Sequence, residues 1–123
     1  MRRAIGPCAL LVGAFFAGCS FYARDAESYR KVTREVLETK NTDIKGCYDA
    51  ELQKDPKLSG SVVIKLTVQK ETGKIINPTV DATSTAPASL GQCVVKALDG
   101  LAIDPPDKRD GDATFSWEFQ VRG

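Results

Sequence analysis

Two hydrophobic periods divide this chain. From Ser61 to Gln69, Val62, Ile64, Leu66 and Val68 alternate with Lys65, Thr67 and Gln69, the period of a strand with one face buried. Ala113, Phe115, Trp117, Phe119 and Val121 alternate in the same way with Thr114, Ser116, Glu118 and Gln120, which predicts a closing strand. A third strand runs from Ile75 to about Ser84 with Ile76, Val80 and Ala82 inward, and Pro78, which has no N–H to donate, places it at a sheet edge. Lys70–Lys74 joins the first and third of these as a turn, with Gly73 free to take positive φ. The helical period appears at Leu90, Cys93, Val94, Ala97, Leu98 and Leu101, after a Pro87 start and before Gly100. Two further helices follow from Tyr29, Val32, Val36 and Leu37 within Asp25–Lys40, and from Ile44, Cys47, Tyr48 and Leu52 within Thr42–Gln53. Asp55-Pro56 stops the latter.

The order helix, helix, strand, strand, helix, strand predicts an α+β domain: a three-stranded antiparallel sheet with helices on one face. The Val62–Val68 strand is expected at its centre, with the Pro78 strand and the Phe115–Val121 strand as edges. Cys47 and Cys93 then fall on inward stripes of two helices over the same sheet face.

The N-terminus has a different character. Arg2 and Arg3 precede an uncharged, mostly apolar run from Ala4 to Ala17, the pattern of a secretory signal and too short for the roughly 20 residues of a spanning helix. Phe16-Ala17-Gly18-Cys19 resembles the bacterial lipobox, with Phe16 where an aliphatic residue is usual. The resemblance implies cleavage before Cys19 and lipidation of its sulfur, and Ser20 after it implies sorting to the outer membrane. The expected plan is a signal peptide over 1–18, a lipidated tether over 19–25 and a domain over 26–123. Several acyl chains on one cysteine, at about 0.8 kcal/mol per buried CH₂, anchor durably.

Processing alters the inventory. Loss of Arg2 and Arg3 takes the formal charge of the 123-residue chain from +1 to −1, which leaves no basic field for nucleic acid. Cys8 departs with the signal and Cys19 is taken by lipid. Cys47 and Cys93 remain in an oxidising compartment, where a lone pair is most simply a disulfide.

The chemistry available is narrow. The chain has no histidine, so triads with an imidazole base, Cys/His zinc sites and proximal-His haem are excluded. Asp49, Glu51, Asp81, Asp99 and Glu118 are expected on polar, solvated faces. Asp104, Asp107, Asp110 and Asp112 lack the EF-hand spacing and are interrupted by Lys108 and Arg109, so no metal, cofactor or small-molecule substrate is expected. Thr83-Ser84-Thr85 is expected to cap the following helix. The candidate site is the closing strand, whose backbone, with outward Ser116, Glu118 and Gln120, can accept an extended partner segment by β-augmentation.

Ile44, Cys47-Tyr48, Leu52, Pro56, Leu58 and Gly60, the Val62–Val68 strand, Gly73-Lys74-Ile75, Val80, Thr83-Ser84, Cys93-Val94, Leu98 and the final aromatic strand together resemble the AgmX/PglI C-terminal domain family. The match covers roughly Tyr29 to Val121, with Ile103-Asp104-Pro105 where the family usually has Phe-x-Pro. That family is similar to the C-terminal domain of TonB. The resemblance implies a TonB C-terminal-like fold and a non-catalytic docking role toward other envelope proteins. The long Pro-rich spacer and membrane helix of TonB itself have no counterpart in this sequence. A structural scaffold subunit of an envelope complex is the alternative expectation.

Overall fold

β1 (Gly60–Val68), whose buried positions are all aliphatic, forms the centre of the sheet. In the computed structural model, which describes residues 23–121, it lies between β2 (Ile75–Val80) and β3 (Gly111–Phe119), antiparallel to both. Val62, Ile64, Leu66 and Val68 are 0, 0, 3 and 1 % exposed, each contributing roughly 1.5–3 kcal/mol by burial. Along β3, Phe115 lies opposite Ile64 and Phe119 opposite Gly60 on the same buried face.

Three helices cover that face: α1 (Ala26–Glu38), α2 (Asn41–Leu52) and α3 (Ala88–Ala97). The result is the expected α+β architecture, a three-stranded antiparallel sheet in the order β2-β1-β3. Asp25 caps α1, its carboxylate accepting from the Ser28 N–H at 2.7 Å. α2 places Ile44, Cys47 and Tyr48 inward, and α3 places Leu90 and Val94 there, with Leu98 just after its end. Cys47 and Cys93 join these two helices in a disulfide with their Cα atoms 5.8 Å apart. Tyr48 closes the core near the start of β1: its hydroxyl donates to the Leu58 carbonyl at 2.5 Å and its ring lies 5.0 Å from that of Phe119.

At the other end of β1, Gly73 turns the chain with φ +73°, and a Cβ there would stand 2.3 Å from the Ile103 carbonyl oxygen. Only glycine fits that approach. No helix among the described residues is long and apolar enough to cross a membrane.

Several local expectations need correction. Ile76 is not on the inward face of β2; Ile75 is. Lys65 pairs with Thr79 but Thr67 pairs with Ile76, so a bulge at Asn77-Pro78, with Asn77 at φ +54°, inserts one residue and reverses the alternation. β2 also ends at Val80, leaving Ala82 exposed outside it. β3 ends at Phe119, so Gln120 follows the strand and Val121 is 44 % exposed rather than inward. Thr83-Ser84-Thr85 does not cap α3, whose N-cap is Pro87 with no side-chain bond. The Ser84 hydroxyl accepts from the Val63 N–H at 2.8 Å, and Thr85 Oγ1 from the Ser61 N–H at 2.8 Å. These hydroxyls continue the ladder on β1 where β2 has ended.

Glu51 is 8 % exposed, not solvated: it accepts from the Ser89 hydroxyl at 2.9 Å in the first turn of α3 and pairs with Lys54 at 3.3 Å. A carboxylate there complements the N-terminal end of the helix dipole.

Candidate functional site

The candidate site is an edge, and the hydrogen bonds of β1 determine which backbone groups it offers. In an antiparallel ladder, alternate residues turn both N–H and C=O toward the same neighbour. Ser61 and Val63 turn toward the β2 side: Val63 C=O accepts from the Asp81 N–H at 2.7 Å and Ser61 C=O from the Thr85 N–H at 3.0 Å. Val62, Ile64 and Leu66 therefore bond to their β3 partners Trp117, Phe115 and Ala113. The intervening residues of β3, Asp112, Thr114, Ser116 and Glu118, point their N–H and C=O groups outward.

Ser116 and Glu118 are exposed, as expected, and share this free row; Gln120 is exposed but lies beyond the strand. One position is already engaged. The Arg30 guanidinium reaches from α1 to the Thr114 carbonyl at 3.3 Å while lying 5.3 Å from the centroid of the Phe115 ring. Beyond it, Arg34, Leu37, Glu38, Phe115, Ser116 and Trp117 line a shallow groove of about 230 Å³ between α1 and the strand. Trp117 is half-buried in this wall, whereas Phe115 and Phe119 are core residues at 7 and 8 % exposure.

The opposite edge is closed at several points. Ile75 N–H donates to the Leu101 carbonyl at 2.9 Å, Lys74 bridges to Ala102, and Pro78 has no N–H. β3 is the more open edge because, among the described residues, its outer row meets only the Arg30 side chain.

A polar clamp that the sequence did not disclose fixes α1 beside β3. Asp107 has no exposed surface. Its carboxylate accepts from the Arg24 backbone N–H at 2.9 Å and the Arg109 N–H at 3.0 Å, and the Arg24 guanidinium lies 3.6 Å away. Arg24 also donates to the Pro105 carbonyl at 2.8 Å, and Arg109 donates back to the Arg24 carbonyl. Burial pushes the Asp107 carboxyl up, but these backbone donors and the Arg109 guanidinium outweigh it and hold it below the usual carboxylate range. Two residues assigned to the tether, Arg24 and Asp25, thus belong to the packed domain.

Two neighbouring acids have separate partners: Asp110 accepts from the Lys70 N–H at 2.7 Å and Asp112, in β3, from the Thr67 hydroxyl at 2.8 Å. Tyr29 completes the attachment of α1, donating to the Arg109 carbonyl at 2.8 Å with its ring against Gly111, and burial raises its phenol pKa. Between Tyr29, Arg30 and the start of β3 lies a groove of about 510 Å³. Near the end of β2, hydrogen bonds from the Thr83 hydroxyl and N–H, joined by Lys65, pull the Asp81 carboxyl down to about 2.

Cys19 lies outside the described residues. No group of three or more Cys, Asp or Glu placed to hold a metal ion occurs among the described residues. No protein-family model, curated protein or solved structure matches this chain.

Proposed function

We propose that this is a lipid-anchored protein of the bacterial envelope, related to the AgmX/PglI C-terminal domain family, whose domain is a non-catalytic docking module. It is held to the outer membrane through Cys19 and receives an extended segment of another envelope protein along β3. The single observation that carries the reading is the outward row of backbone groups at Asp112, Ser116 and Glu118, on the edge that no other backbone covers among the described residues. Backbone pairing supplies affinity at such an edge, and the Leu37–Trp117 groove supplies side-chain choice. The lipobox-like Phe16–Cys19 run and the Cys47–Cys93 disulfide support an exported, oxidised setting.

The test is Ser116→Pro. It removes an N–H that points away from β1, so the domain stays folded while capture of partners by crosslinking in intact cells falls. Unchanged capture by a folded variant sinks the docking edge, and a stoichiometric partner indifferent to this substitution makes the protein a scaffold subunit. Intact-mass measurement of the membrane form tests the anchor separately, since an unmodified Cys19 refutes it.

A further inference from the structure

The domain has two poles, separated by the length of β1. One carries the Lys70–Lys74 turn, the start of β3 and the loop around Asp107, joined by the Glu71 N–H donating to the Asp107 carbonyl at 2.8 Å. The other carries Leu58, Phe119 and the end of α2, some 27 Å away at about 3.4 Å per strand residue. The chain enters at the first pole. Arg24 is held there by its own N–H on Asp107 and its guanidinium on Pro105, so the tether does not pivot about α1 but ends at a fixed point on the surface.

Arg24 is five residues beyond Cys19, a reach of at most about 18 Å when fully extended. That is short beside the distance between the poles. From these observations we propose that the pole bearing Arg24, Lys70 and Lys108 rests against the headgroup layer of the membrane that holds Cys19. Charge does not supply the contact: exposed Lys70, Lys74, Lys108 and Arg109 are offset by exposed acids on the same pole, Asp25, Glu27 and Asp112 among them, so the short tether and its fixed end hold the surface there. α1 rises from this pole beside β3, so Ser116 and Glu118 face the space above the lipid, about 16 Å or more from Gly111 along the strand. The inference rests on the proposed anchor at Cys19 and adds an orientation to it.

Lysine acylation reads the orientation directly. The chain from Cys19 onward, its Cys47–Cys93 disulfide intact, is coupled through the Cys19 sulfur to a maleimide phospholipid in vesicles of phosphatidylethanolamine and phosphatidylglycerol. Each lysine is then compared with the uncoupled protein. Lys70 and Lys108 are expected to react several-fold more slowly on vesicles, while Lys54 and Lys57, at the far pole, keep their rates. Equal rates at all four overturn the proposal. A flexible 20-residue Gly/Ser insert between Ser20 and Phe21, with an r.m.s. span of roughly 25 Å, leaves the fold untouched and is expected to restore Lys70 and Lys108. Persistent shielding with the insert also overturns it, because the short tether would then not set the orientation. Because coupling bypasses the cell, failure here is distinct from finding native Cys19 unmodified, which defeats the anchor alone.

Discussion

Replacing both Cys47 and Cys93 with alanine, in the chain from Ser20 onward, tests what secures the helical layer to the sheet. The two cysteines are 46 residues apart, and the chain they enclose contains β1, β2 and the turn between them. Closing a loop of that size lowers the entropy of the unfolded chain by an amount worth about 4 kcal/mol in the chain-entropy model. A domain of this size has only about 5–15 kcal/mol in total, so the variant is expected to fold with little margin. With a urea m-value of about 1–1.5 kcal/mol/M, the midpoint should fall by roughly 3–4 M, and the melting temperature by roughly 15–30 °C. Urea titration followed by far-UV circular dichroism and by Trp117 fluorescence measures both ends of the comparison. Reduced wild-type protein should fall close to the variant, because the two share an uncrosslinked unfolded state. A loss below about 1 kcal/mol would refute the reasoning, since the unfolded chain would then already hold α2 near α3 without the bond.

The remaining perturbations address the clamp, a close helix–strand contact and the register of β3. Asp107→Asn keeps the shape but removes the charge facing Arg24 and Arg109, and should cost about 2–4 kcal/mol in urea unfolding at neutral pH. Because the folded Asp107 carboxyl titrates below its ordinary 3.8, its stabilisation is complete above that value and is lost as pH falls through and below it; the gap between wild type and Asp107→Asn should therefore narrow on acidification. Gly91→Ala sets a Cβ 2.9 Å from Val80 Cγ2, and a melting curve should register a loss of about 1–3 kcal/mol despite the better helix propensity. Trp117→Pro removes an N–H that bonds β1 and should cost about 3 kcal/mol or more, whereas Ser116→Pro, one residue away, should cost far less; comparable losses would show that the assigned direction of the free row is wrong.

The parts of the fold legible in the sequence were those written in a single repeated period. β3 keeps strict alternation across its length and β1 departs from it only at Val63, so each residue's side of the sheet follows from the period. β2 defeated that reading because Asn77 adopts a positive φ beside a proline, and one inserted residue exchanges the faces of Ile75 and Ile76. Glu51 looked like a surface carboxylate because its partner, Ser89, comes from a helix 38 residues later. Asp107 was hidden for the same reason: its neighbours in sequence suggest a charged loop, while its donor Arg24 stands 83 residues earlier. The edge at Ser116 and Glu118 was legible because it depends only on strand parity and on being last in the sheet. Arg30 lying across Thr114 was not, since nothing local to α1 specifies which edge it reaches.

The two attachments of the helical layer differ in kind, and the difference bears on the edge. α2 and α3 are bound to each other covalently and to β1 through fully buried aliphatic side chains. α1 shares Leu37 and Thr33 with the core, but its contacts with β3 and the loop before it are mostly polar: Arg24, just ahead of the helix, on Asp107, Tyr29 on Arg109 and Arg30 on Thr114. Hydrogen bonds at partly exposed positions contribute about 0.5–1.5 kcal/mol each, and local opening draws on such contacts first. Arg30 can therefore leave the Thr114 carbonyl without disturbing β1, which opens that acceptor of the outer row. The Arg24–Asp107 clamp and the buried Leu37 and Thr33 hold α1 in place when Arg30 moves, so the outer row can be uncovered without detaching the helix.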